Sequence, residues 1–209
     1  MPDSRPGPSP RVVYRPGEEG VNAYRFLTSI VLPRPIAWVS SVGTDGVGNL
    51  APHSFFSVAS AVPPVVTFTS VGRKDTLANV VATGEFVVNV VSAAQLEECN
   101  ATSAEVGPSV DEAALLGIAM EPSAVVRPGR VAGSPASIEC TLHSTVDVGD
   151  SVLVLGLVQA ITVHERVLRA GRVEARELDP LSRLGGHQWG RLGEIHDIRR
   201  PRPEDVLPG

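Results

Sequence analysis

The chain has 209 residues, 43% hydrophobic and 20% charged, with a formal net charge of -5. That is enough for one soluble domain with a real core, and it lacks the basic excess of a duplex nucleic-acid binder. No apolar run reaches the roughly 18 residues of a membrane span, so no membrane partner is expected.

Residues 1–18 are rich in Pro, Gly and Arg with little to bury, and read as a flexible arm. Residues 198–209 read as a flexible tail for the same reason. The first eleven residues hold no apolar core of a secretory signal. Cys99 and Cys140 are the only cysteines, and neither a CxxC nor a Cys/His spacing accompanies them. A cytoplasmic location with two free thiols is the expectation. Residues 19–197 contain no repeat and no linker, and form one domain.

Within it, 22–31 (NAYRFLTSIV) carries Tyr24, Leu27, Ile30 and Val31 at helical spacing, and the Pro-Arg-Pro that follows stops the helix. Residues 36–42 (IAWVSSV) are a β-branched, apolar strand, and Thr44-Asp45-Gly46 turns into a second strand over 48–58. Pro52 inside that strand suits an edge or a bulge. A third strand spans 65–70, a short helix capped by Asp75 spans 76–83 and ends at Gly84, and a fourth strand spans 85–91. Short helices follow at 93–101 and 111–116. Residues 137–148 and 151–168 form a long hairpin about Gly149-Asp150. Antiparallel strands joined by hairpins favour a closed or nearly closed barrel, which removes exposed edges. The fold is therefore mainly β with a few short helices.

Three segments carry candidate chemistry. The second strand sets Asn49, His53, Ser54 and Ser57 among Leu50, Phe55 and Phe56, and its irregular backbone suits a planar heteroaromatic ligand; it equally suits a solvated sheet edge. Residues 72–79 (GRKDTLAN) join a strand to a helix. Arg73, Lys74, Thr76 and the helix N-terminus together make a phosphate site, although a solvated turn with Asp75 as cap uses the same residues. Lys74 is the only lysine among eighteen basic residues, and lysine and arginine are not equivalent where a compact ammonium is needed. In 184–189 (LGGHQW), two glycines permit a close-packed loop from which His187 and Trp189 can cover a ligand, or simply pack. No three histidines or carboxylates share a metal-ligand spacing, and no GxSxG, Walker A or GxGxxG pattern is present. Nicotinamide, if used, binds without a Rossmann fingerprint.

Taken together, PRPIAWVSS, NLAPHSFF, PPVV, KDT and GEFVVNVV, in this order and spacing, resemble the flavin reductase-like family with the FMN-binding split barrel. The likeness is close from Tyr24 to Val91 and looser beyond. It implies a six-stranded Greek-key barrel, a homodimer, and FMN near the dimer interface. Carried over by position, it implies that Ser40, Asn49, Leu50, Ala51, Ser54 and Phe55 line the flavin ring and ribityl chain. It implies that Arg73, Lys74 and Thr76 hold the phosphate, that Asp75 fixes the turn, and that His187, with Trp189 beside it, occupies a place where family members carry an aromatic. The activity implied is hydride transfer from NADH or NADPH to FMN, with reduced flavin passed to a partner oxygenase. A flavin-dependent oxidase or tailoring enzyme acting on an organic substrate, and a non-catalytic FMN-binding electron carrier, are the competing readings.

Overall fold

Residues 10–206 are described by a computed structural model. Helix α1 (Ala23–Ile30) starts where Asn22 Oδ1 accepts from the Arg25 N–H at 2.9 Å, the side-chain cap that satisfies a first-turn donor. It ends as the chain meets Pro33. Its spacing is helical as expected, but its apolar stripe does not face the core: Tyr24, Leu27, Ile30 and Val31 are all exposed, and Thr28 alone is buried. Tyr14 packs on Phe26 with ring centroids 4.3 Å apart, so part of the N-terminal arm lies against α1.

Seven antiparallel strands make the main sheet: β1 (Ala37–Val42), β2 (Gly48–His53), β3 (Phe56–Ala61), β4 (Pro64–Val71), β5 (Glu85–Val90), β6 (Ala136–Val148) and β7 (Ser151–Val163). Their order is β2-β1-β5-β6-β7-β4-β3. The two edge strands are consecutive in the chain, so the sheet must roll until its edges approach. The Thr69 N–H donates to the Phe55 carbonyl at 2.9 Å, extending the β3–β4 ladder by one residue toward the bend, and β2 comes into contact with β4. No ladder joins the edges among the described residues, and the roll stays split. A closed or nearly closed barrel was the expectation, split and six-stranded by the family resemblance. The count differs because the stretch expected as one strand over 48–58 breaks at Ser54-Phe55 into β2 and β3. Pro52 has no N–H to give a ladder and sits on edge strand β2 opposite Trp38, where proline is tolerated.

Strand β1 alternates sides. Ala37 and Val39 enter a core inside the roll with Phe68, Phe86 and Val154. Trp38 enters a second core with Leu50, Cys99 and Ala113. Both faces are covered, which is why β1 reads as a continuous apolar run. The inner core is closed at one end by α2 (Asp75–Thr83) through Leu77 and Val80. The outer core lies under α3 (Leu96–Ala101) and α4 (Glu112–Leu116), and Trp38 Nε1 is satisfied by Thr102 Oγ1 at 2.9 Å. Burying each large apolar side chain contributes about 1.5–3 kcal/mol. Cys99 and Cys140 are free and buried, and burial pushes both thiols up to about 12, so they stay protonated and inert.

The long hairpin β6–β7 turns at Gly149, whose φ of 60° lies in the left-handed region, and it is bulged at Leu155/Gly156 and Val158/Ala160. At Gly156 the sheet passes directly over the Phe86 ring: a Cβ there would overlap that ring and stand 3.1 Å from Cys140 Cβ. Overpacking a filled core costs about 1–3 kcal/mol. Gly156→Ala is expected to lose that much stability in urea unfolding, with the slope unchanged.

His53, at the end of β2, sets its ring 4.7 Å from that of Phe68, and its buried Nε2 has no hydrogen-bond partner among the described residues. Burial first, and the Lys74 charge, hold its pKa down from 6.5 to about 4, against a backbone bond with Thr69 that raises it. The folded chain therefore binds fewer protons here than the unfolded chain between those values. Stability present above pH 6.5 is lost as pH falls toward 4, by roughly 3 kcal/mol. His53→Phe should flatten that acid limb of the stability–pH profile. At pH 7 it should match or exceed the wild type by about 1 kcal/mol, because an unpaired buried nitrogen is removed.

Candidate functional site

A cleft of about 370 Å³ lies between the end of β2, the start of α2 and the loop at 102–106. It joins the two stretches that the sequence marks separately. The tie is direct: Asn49 Nδ2 donates to Thr76 Oγ1 at 2.8 Å, in a buried bond between the edge strand and the helix.

At one end β4 runs out at Val71, and Gly72 turns the chain with φ 77°, a left-handed conformation that glycine accepts without strain. The Gly72 N–H is held by the Asp150 carbonyl at 3.0 Å. Helix α2 then begins with Lys74 as its flanking residue and no side-chain cap. Asp75 is the first helical residue rather than the cap. There its carboxylate complements the positive helix end and leaves the first-turn N–H groups without a side-chain acceptor. Thr76, 1% exposed, accepts from Asn49 and keeps its own hydroxyl proton to donate. Lys74 Nζ meets Glu105 Oε1 at 3.0 Å, with both side chains largely in solvent (58% and 85% exposed). Such a pair contributes at most about 1 kcal/mol, and a dianion can displace it. Ammonium, hydroxyl and free amides converge as an anion site requires.

At the other end Asn49, Ala51 and His53, spaced by two along β2, all line the cleft with Ser54 and Phe55. Tyr24 of α1 stands across from Phe55, ring centroids 6.4 Å apart, so two aromatic rings flank this end. Below, Glu112 Oε2 accepts from the Leu50 N–H at 2.9 Å. Burial pushes the Glu112 carboxyl up, and the Leu50 bond pulls it the other way.

Of the candidate residues marked in the sequence, Asn49, Ala51, His53, Ser54, Phe55, Lys74, Asp75 and Thr76 line this cleft, and Ser40, Leu50, Phe56, Ser57, Arg73, His187 and Trp189 do not. Ser40 turns to the opposite face, donating to the Gly129 carbonyl and accepting from Asn89 Nδ2. The Leu50 side chain is 1% exposed in the outer core. Arg73 reaches away to Asp147 at 3.2 Å. Trp189 packs on the outer core, with the Arg183 guanidinium 4.9 Å over its ring. His187 is exposed at the tip of a turn that closes between the Leu184 N–H and the Gln188 carbonyl at 2.9 Å. Tyr24, Thr69, Glu105 and Glu112 line the cleft without having been marked in the sequence. For Tyr24 a signal was there, an aromatic at the head of a stripe with no core to face. The others arrive by long-range packing and leave no local pattern.

Residues 29–181 match the family described as Flavin reductase like domain. An uncharacterized protein of Aquifex aeolicus (strain VF5) is 37% identical over 177 residues, 82% of this chain and 90% of its own length. Nitrilotriacetate monooxygenase component B from Bacillus cereus superposes with a TM-score of 0.85 at 31% identity, over 91% of this chain and all of that one. The 2-nitrobenzoate 2-nitroreductase NbaA of Pseudomonas fluorescens gives 0.85 at 28% identity, over 95% and 99%. A rolled antiparallel sheet, and a family match over residues 29–181, make this chain a member of the flavin reductase-like family, with flavin oxidoreduction as its chemistry.

Proposed function

We propose that the protein binds FMN in this cleft and reduces it with NADH or NADPH. The observation that carries the reading is the union, in one cavity, of the Lys74–Thr76 helix start with the Asn49–Phe55 strand. The residues fit the group. Lys74, the Thr76 hydroxyl and the first-turn amides of α2 suit a terminal phosphate, and the Tyr24–Phe55 end suits a flat ring system. Asp75 fixes the turn between them. Bound flavin supplies a ring that accepts hydride at N5 and hands electrons on. The chain's part is placement: it holds the ring at one end and the ester at the other, leaving the nicotinamide to stack at about 3–3.5 Å.

A homodimer belongs to the same reading. Tyr24, Leu27, Ile30, Val31 and Leu32 form an uncovered apolar run that continues into the cleft wall. A second copy would bury it and complete the flavin site from outside. Leu27→Asp should yield a monomer in sedimentation equilibrium, whereas a wild-type monomer would remove the dimer from the proposal. Cytoplasmic localisation and delivery of reduced flavin to a partner oxygenase complete the proposal. Likeness to a monooxygenase component B supports the delivery role. A second reading, direct reduction of an organic substrate by bound flavin, is favoured by the likeness to NbaA, a nitroreductase by name.

Flavin co-purification and steady-state oxidation of NADH and NADPH with added FMN test the whole. Turnover on flavin alone supports the reductase, and turnover that needs a nitroaromatic supports the second reading. A yellow protein inert to both nicotinamides is a carrier. Lys74→Ala should weaken FMN by about 1.5–3 kcal/mol, roughly ten- to a hundredfold, and leave riboflavin nearly unaffected. Equal losses for both ligands in isothermal titration would put the phosphate elsewhere.

A further inference from the structure

Arg34 is 7% exposed, and among the described residues its acceptors are all neutral. Nη1 donates to the Thr28 carbonyl and to that of Val31 at 3.1 Å, and Nη2 donates to the Leu184 carbonyl at 2.9 Å. Nε faces Ser54 Oγ at 3.5 Å. Thr28 lies in α1 and Val31 just beyond it, so their carbonyls sit at the negative end of the helix dipole. Leu184 opens the Gly185-Gly186 turn. A Cβ on Gly185 would stand 2.9 Å from Ser29 Oγ, so the bare turn packs closely on α1. The backbone repeats the tie, since Arg34–Pro35 pairs with Ser182–Arg183.

One side chain thus joins the helix that carries Tyr24, the glycine turn and the hydroxyl of Ser54. Both Tyr24 and Ser54 line the cleft. Ser54 Oγ, in accepting from Nε, keeps its own proton, and no acceptor for that proton is found among the described residues. Binding a helix end to a turn needs only Nη1 and Nη2. The third direction of the fork, toward the cleft, is left over from that task.

We propose that Arg34 is the positioning residue of the ring end of the cleft. It sets the Ser54 hydroxyl as a donor to an acceptor atom of the heteroaromatic ligand, and it pins α1 so that Tyr24 stays opposite Phe55. This rests on the flavin reading given above. It also assigns a task to the LGGHQW segment: the Leu184 carbonyl and the bare Gly185 act, rather than the His187 imidazole.

The test is equilibrium binding of FMN and of riboflavin to the full chain, for Arg34→Lys, Arg34→Gln, Ser54→Ala and the double variant Arg34→Gln/Ser54→Ala, beside thermal unfolding. Arg34→Gln should weaken both flavins by the same factor, about tenfold. Arg34→Lys should recover little of it, because a single ammonium cannot serve a fork of four acceptors. Ser54→Ala should weaken both flavins about fivefold, and the double variant should be no weaker than Arg34→Gln alone, the mark of a shared interaction. A structural role alone would lower the unfolding temperature while leaving binding to the folded protein unchanged. Wild-type affinity in the Arg34 variants, or multiplying losses in the double variant, would overturn the proposal and leave the flavin reading intact. If the glutamine variants do not fold, the lysine variant with and without Ser54→Ala completes the cycle. A wild type that binds neither flavin overturns the flavin reading and this inference together.

Discussion

Strands β2 and β3 follow each other in the chain yet stand at opposite edges of the seven-strand order, and the connection at Ser54-Phe55 is too short to let those edges part. The sheet must therefore roll. The Phe55 carbonyl takes the Thr69 N–H as the last rung of the β3–β4 ladder, and among the described residues no ladder joins β2 to β3 or to β4. The seam left behind is the cleft. Its walls are backbone that has no sheet partner, which is costly to bury without a ligand or water to satisfy it. The Asn49–Thr76 bond then fixes how far α2 can move from the seam, so the anion end and the ring end keep a constant separation.

Charge in and around the cleft is arranged on the same frame. Lys74, at the proposed phosphate end, is exposed and exchangeable, whereas Arg34, behind Ser54, is buried and hydrogen-bonded to three backbone carbonyls and the Ser54 hydroxyl. A buried guanidinium without acceptors would cost several kcal/mol. Backbone carbonyls at a helix end offset that cost, because the dipole supplies negative potential there. His53, its pKa held down by burial, stays neutral beside Phe68, so it adds no charge to a seam already lined by Lys74, Asp75 and Glu105.

Much of this was legible along the chain because local chemistry and tertiary role agree. Gly84 closes α2 with a φ of 75°, Asp111 caps α4 by accepting from the Ala114 N–H at 3.0 Å, and the β6–β7 hairpin turns at the expected Gly149. The break between β2 and β3 was legible only as an irregularity: Pro52 marked an edge or a bulge, while the split into two strands at Ser54-Phe55 is set by the tertiary edge positions. Ser40 and Leu50 show the limit of reading a strand by neighbours. They lie on or beside residues that line the cleft, but a one-residue step in a strand reverses the face, and which face meets the seam depends on the roll. Arg73 and Lys74 are adjacent cations that the sequence cannot rank. In the structure Lys74 lines the cleft, while Arg73 points to Asp147 on the far hairpin.

The two ends of the cleft are therefore held by interactions of different physical range. At the phosphate end, ions in solvent compete with Glu105 and with any ligand for Lys74, and a Debye length of about 8 Å at physiological salt makes that grip weak beyond contact. At the ring end, aromatic contacts and hydrogen bonds set behind a buried guanidinium are scarcely screened. In the proposed FMN mode, a ligand bound at both ends would be registered by the ring and released through the ester. On that proposal, discrimination among flavins with different tails falls to Lys74, Thr76 and the loop at 102–106, and recognition of the ring falls to the edge strand, to Tyr24 and to the side chains that hold them still.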